Sequence, residues 1–134
     1  MRIALLISFC FLTYTSNAQN TIGAVGTWRE HYNNKDIFQV IKGDQYYLAA
    51  KNQIISYNKE NGQVSFLGKS NGLHEIGIQT IAWDQQYQQL IIAYTNSAID
   101  IVQGDQVYLI NDIKTTSLFN NKKIKNIRVN AGLA

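Results

Sequence analysis

His31 and His74 stand roughly 43 residues apart, and a neutral imidazole nitrogen is the commonest protein ligand for zinc or copper. Neither has carboxylates or further histidines nearby at ligand spacing, so both read as polar turn or strand-end residues. Asp84, Asp100, Asp105 and Asp112 carry the oxygens that a calcium ion takes. They form no D-x-D-x-D-G series, and single aspartates at strand ends read as turn formers. Trp28, Trp83 and the tyrosines could stack on sugar rings, but large rings more often fill the wedge between packed sheets. Lys122, Lys123, Lys125 and Arg128 form the one basic cluster, which suits an anionic glycan or lipid headgroup. A solvated turn and strand edge accounts for it more simply. There is no G-x-S-x-G elbow, no phosphate-cradling glycine loop and no pair of carboxylates that falls on one face. The residues therefore imply no enzyme, no cofactor and no metal centre in this segment, and assign no ligand-binding residue.

The elements that position these side chains begin after residue 18. Arg2 is a charged n-region, Ile3 to Leu12 an apolar core, and Ser16-Asn17-Ala18 a small-residue cleavage site. This pattern predicts a secretory signal peptide over residues 1–18, cut after Ala18, with export by the Sec route to the periplasm or the outer-membrane surface. The apolar run is about half of the ~20 residues that span a bilayer, so no transmembrane anchor is expected. Cys10 does not read as a lipid-bearing cysteine, because bulky Phe9 precedes it and Phe11-Leu12 continue the apolar core.

Without the signal the chain has no cysteine, which excludes disulfides, thiolate zinc sites and thiol nucleophiles. An exported domain lacking staples depends on its core, and 46% of the 134 residues are apolar, enough for a globular β composition. The formal net charge of +3 drops by one when Arg2 leaves, too little to argue for nucleic acid.

Four short β-rich runs occur twice, roughly 43 residues apart. The first copy is Ile37–Ile41, Tyr46–Ala50, Ile54–Tyr57 and Val64–Leu67; the second is Ile78–Trp83, Leu90–Tyr94, Ala98–Val102 and Val107–Ile110. A period of this length with four strands per unit is the mark of a β-propeller blade. Turn residues recur with the runs: Gly43-Asp44, Lys51-Asn52 and Asn61-Gly62 in the first copy, and Asp84 to Gln89, Thr95 to Ser97 and Gly104-Asp105 in the second. Asn61-Gly62 carries the strongest signal for a two-residue type I′ turn. No window beyond residue 19 sustains a helical period. The expected architecture is all-β, a β-propeller fragment of about two four-stranded blades plus the start of a third. An N-terminal segment at residues 19–35 leads to blade 1 at 36–67, a crossover at 68–77, blade 2 at 78–112 and the start of blade 3 at 113–134. Two blades and a fraction cannot close a ring of about four to eight, so the chain is expected to be the N-terminal piece of a longer protein.

The segment Val25-Gly26-Thr27-Trp28-Arg29-Glu30-His31-Tyr32, between signal and first blade, resembles the opening of PorZ-like proteins of the type IX secretion system. Asn71-Gly72-Leu73, Ile78 to Asp84 and Leu90 to Asn96 are similar to the repeat of two-component-regulator propellers. The resemblance to PorZ-like proteins implies a non-catalytic exported propeller module. It would assist sortase-linked processing and the delivery of anionic lipopolysaccharide at the cell surface, with sortase and other type IX components as partners. The resemblance to the regulator repeat implies an alternative, the periplasmic ligand-sensing propeller of a hybrid two-component regulator. Neither resemblance carries a catalytic residue onto this chain.

Overall fold

The computed structural model describes residues 36–118 and 120–130. The signal peptide expected over residues 1–18, with Cys10, and the segment at 19–35, with Trp28 and His31, lie outside the described residues.

Eight strands form two separate four-stranded antiparallel meanders. The first sheet is β1 (Gln39–Lys42), β2 (Tyr46–Ala50), β3 (Gln53–Tyr57) and β4 (Val64–Gly68); the second is β5 (Ile78–Asp84), β6 (Gln89–Tyr94), β7 (Ile99–Gln103) and β8 (Gln106–Ile110). In both sheets spatial order follows chain order, because each connection is a short hairpin. This is the architecture of propeller blades, as the repeat predicts. A single helical turn, α1 (Asp112–Thr115), follows β8.

Alternation along each strand sorts the side chains into two faces. On blade 1 the rows Gln39–Ala49–Ile54–Leu67 and Ile41–Tyr47–Ser56–Ser65 lie on one face. On blade 2 the rows Ile81–Ile92–Asp100–Leu109 and Trp83–Leu90–Val102–Val107 oppose them. Apart from Leu109, their apolar members form one continuous core between the sheets together with Leu73, Ile78, Tyr94 and Ala98, and Ala49, Ile92 and Tyr94 are at 0% exposure. The outward faces are apolar too: Val40, Leu48, Ile55 and Phe66 form a row on blade 1, and Ala82, Ile91, Ile101 and Tyr108 on blade 2. Val40 remains 58% exposed and Tyr108 54%, as expected of faces that a propeller presents to further blades.

Gln39 ties the inner strands together. Its amide nitrogen donates to the Ile81 carbonyl at 2.8 Å, while its Oε1 accepts from the Ile81 amide at 3.0 Å and the Thr80 hydroxyl at 3.1 Å. These bonds fall beside the register shift between Ile78 and Thr80, where the β5–β6 ladder is interrupted. β5 is the first strand of its sheet, so the Ile81 N–H and C=O that face away from β6 have no ladder partner among the described strands, and the carboxamide, with donor and acceptor side by side, supplies both. Gln39→Leu keeps the volume and removes the bonds, so we expect it to cost about 2 kcal/mol in urea unfolding; an unchanged midpoint would show that the β5 edge does not need the amide.

One turn and one segment differ from the sequence expectation. Asn61-Gly62 is not a two-residue turn: the last ladder pair is Tyr57 with Val64, and Asn58 and Gln63 close a longer loop through Asn58 N–H to the Gln63 carbonyl at 2.9 Å. Asn58 also accepts from Gly62 through its carbonyl and from Glu60 through Oδ1, each at 2.9 Å, and these bonds outweigh the local Asn-Gly preference. Only Gly62 takes positive φ there, at 71°. Residues 123–129, within the stretch expected to start blade 3, pair with no strand among the described residues. Alternating apolar residues can set the face of a strand, but a ladder also needs a neighbouring strand, and among the described residues none lies beside this segment.

Candidate functional site

The crossover from β4 to β5 is fastened by the Asn71-Gly72-Leu73 motif. Asn71 Oδ1 accepts from the Gly68 amide at 2.6 Å and its Nδ2 donates to the Phe66 carbonyl at 2.7 Å, which caps the end of β4. Gly72 adopts φ 146°, and a Cβ there would sit 3.1 Å from Leu67 Cδ1. The chain then drops Leu73 into the core at 3% exposure. All three residue types are thus accounted for by a stapled crossover.

Directly after it, His74 meets blade 2. Its backbone amide donates to Asp100 Oδ2 at 2.9 Å, and its Nδ1 lies 2.9 Å from Asp100 Oδ1. The Tyr94 hydroxyl donates to Asp100 Oδ2 at 2.6 Å. Asp100 and Tyr94 are both at 0% exposure, whereas the His74 ring is 40% exposed. Burial, and then the hydrogen bond to the Asp100 carboxylate, push the Tyr94 hydroxyl far above the usual tyrosine range, so it stays a donor. Glu75 pairs with Lys114 on α1, and that ammonium holds its carboxyl below the ordinary glutamate value. Ser97, at φ 68°, donates its hydroxyl to the Lys122 carbonyl. The network binds crossover, β6, β7 and the chain after β8 into one block.

At the opposite end of the inner strands, Tyr47 and Trp83 stack across the interface, ring centroids 5.5 Å apart and planes inclined by 23°. The Tyr47 hydroxyl donates to Asp44 Oδ1 at 2.7 Å and accepts from Gln45 Nε2 at 3.3 Å. Trp83 Nε1 donates to Gln85 Oε1 at 3.1 Å. Burial and then the Asp44 hydrogen bond push the Tyr47 pKa up to about 12. The phenol is neutral below that value, and in the unfolded chain it would ionise near 10. Its contribution to stability is therefore complete below about pH 10 and is lost as pH rises through 10 to 12. Tyr47→Phe is expected to flatten part of that alkaline fall in unfolding free energy; an identical slope in wild type and variant would contradict the assignment.

Between the blades, on the side of β4 and β8, opens a cleft of about 410 Å³. Its floor is Ile54, Leu67, Leu90, Val102 and Val107, and Gln45, Ser56, Ser65, Asn71 and Asp105 stand around it.

The residues singled out in the sequence separate accordingly. His74 and Asp100 come together, a pairing that the strand-end reading of Asp100 missed; the available signal was an aspartate at an inward position among Ile99, Ile101 and Val102. Asp84 is a turn former, its Oδ1 accepting from the Gln86 and Tyr87 amides at 3.0 and 3.3 Å. Asp112 opens α1 and Asp105 lies at the cleft. Among the described residues no three His, Cys, Asp or Glu side chains converge as a metal site. Trp83 is an interface residue. In the basic cluster Lys123, Lys125 and Arg128 are exposed, while Lys122 donates to the Lys114 carbonyl at 2.9 Å. Gln39 was not a candidate at all.

A protein-family model described as "TSS9, PorZ, N-terminal beta-propeller domain" matches residues 46–134. The chain belongs to that family. The fold is similar to that of PorZ from Porphyromonas gingivalis, described as an essential bacterial surface component of the type-IX secretion system. The match has a TM-score of 0.65 at 18% sequence identity and covers 70% of this chain. It spans only 13% of the PorZ chain. No curated protein matches the chain. Among the described residues no helix is long and apolar enough to cross a membrane.

Proposed function

We propose that the chain is the exported, non-catalytic β-propeller module of a type IX secretion component, contributing contact surface to a complex at the outer-membrane surface. The observation that carries this reading is the family match over residues 46–134, which spans most of blade 1 and all of blade 2. The match supports a secretion role over that of a ligand-sensing regulator propeller. The blades read as scaffold: the side chains with distinctive chemistry, Asp100, His74, Tyr94 and Gln39, are engaged in holding crossover and inner strands. In this role the full-length protein assists the sortase that removes the C-terminal signal of the cargo, and delivers the anionic lipopolysaccharide that replaces it. Affinity purification of the full-length protein from the cell envelope tests the proposal. Recovery of the sortase with other surface components is the expected result; a preparation free of all of them would refute it.

A further inference from the structure

The interblade cleft has an unusual division of labour among its polar residues. Ser56 and Ser65 are spent on one another, their hydroxyls 2.6 Å apart. Asn71 uses both ends of its amide on backbone groups of β4, at 2.6 and 2.7 Å. The Tyr47 hydroxyl is taken by Asp44 and Gln45. Asp105 differs: among the described residues its carboxylate has no hydrogen bond and no ion pair, and it is the one charged side chain on the lining.

A volume of about 410 Å³ falls within the range of small-ligand sites. Such a site selects by the polar groups it leaves free. A polyhydroxylated ring needs several free donors and acceptors, whereas Asn71 and the Tyr47 hydroxyl are engaged and Ser56 and Ser65 bond to each other; a phosphate or carboxylate would meet Asp105 with no cation to offset it. What the cleft offers is an aliphatic wall of half-buried Leu67, Val102 and Val107, and a carboxylate at the tip of the β7–β8 hairpin. That combination fits a cation carried on an apolar stem, which buries its methylenes and keeps its charged head near water. The bordering strands, β4 and β8, are the outermost of their sheets, and among the described residues each has one edge without a ladder partner. An extended backbone can hydrogen-bond to such an edge.

We infer that the cleft binds a lysine or arginine side chain of an extended, otherwise apolar peptide segment, its aliphatic stem on Val102 and Val107 and its cationic head on Asp105. The inference stands apart from the secretion role and holds for any partner that presents such a segment.

The test is fluorescence anisotropy of the full-length protein with a fluorescein-labelled glycine-leucine-lysine-leucine-glycine peptide, against the same peptide with norleucine in place of lysine. Saturable binding is expected, with the norleucine peptide weaker by about fivefold, the size of one partly exposed ion pair. In Asp105→Asn, a change on an exposed turn, the two peptides should bind alike. Val102→Lys, which places an ammonium inside the cleft, should abolish binding, with blade integrity checked by circular dichroism. Equal affinity of the two peptides for the wild type, a preference that survives Asp105→Asn, or no saturable binding would each overturn the inference.

Discussion

Asp100→Ala is expected to destabilise the protein by about 3 kcal/mol, read as a lowered urea midpoint. The carboxylate accepts three hydrogen bonds, two of them from His74 and one from Tyr94, and none of the Asp100 surface is exposed. Alanine leaves the Tyr94 hydroxyl and the His74 amide without their acceptor, and an unpaired buried donor costs about 1–3 kcal/mol. Against a typical stability of about 5–15 kcal/mol, that loss is large. Asp100→Asn should cost about 1 kcal/mol, less than alanine, for a stated reason. Its carbonyl can still serve Tyr94 and the His74 amide, and the His74 ring can present a lone pair at Nδ1 by changing tautomer. If alanine and asparagine proved equally mild, the network would not be what anchors the crossover to blade 2.

Gly43→Ala is the second large effect, expected at about 2–3 kcal/mol. A Cβ at this position would lie 2.5 Å from Trp83 Cδ2 and 2.8 Å from two further ring atoms. The indole cannot retreat easily, because Tyr47 is stacked against it and Gln85 accepts from its nitrogen. Gly43 is not among the residues with positive φ, so the whole cost is steric. Gly62 provides the contrast: nothing lies within 4 Å of its Cβ position, and only its φ of 71° resists substitution. Trimming the ring by Trp83→Leu should recover part of the loss in the Gly43→Ala background, a coupling of about 1 kcal/mol or more in a double-mutant cycle. Strict additivity would show that the glycine and the indole do not compete for space.

Much of the fold could be read from the chain because blades are local structures. The run Tyr46–Ala50 appears as β2 with the same limits, and the other blade strands shift by at most two residues at either end. Alternation of apolar residues and the recurrence of turns depend only on neighbours a few positions apart. Contacts between blades do not. Gln39 meets Ile81, and His74 meets Asp100, across 42 and 26 positions, and no short-range pattern encodes either. Asp100 shows the difficulty most clearly. Aspartate beside a hairpin is a turn former at Asp84, yet on β7 the same residue type, one position into the strand, points into the core and organises three hydrogen bonds. Asn61-Gly62 failed for the opposite reason, since its local preference was strong but Asn58 and Gln63 closed the loop around it.

These features describe blades whose distinctive side chains hold the structure together. The proposal that the module serves type IX secretion is tested most directly by the mass of exported cargo from cells lacking the protein. We predict that the cargo retains its C-terminal signal and lacks the attached lipopolysaccharide, and that expression of the full-length protein restores both steps. Cargo that is trimmed and lipidated normally in its absence would contradict the account.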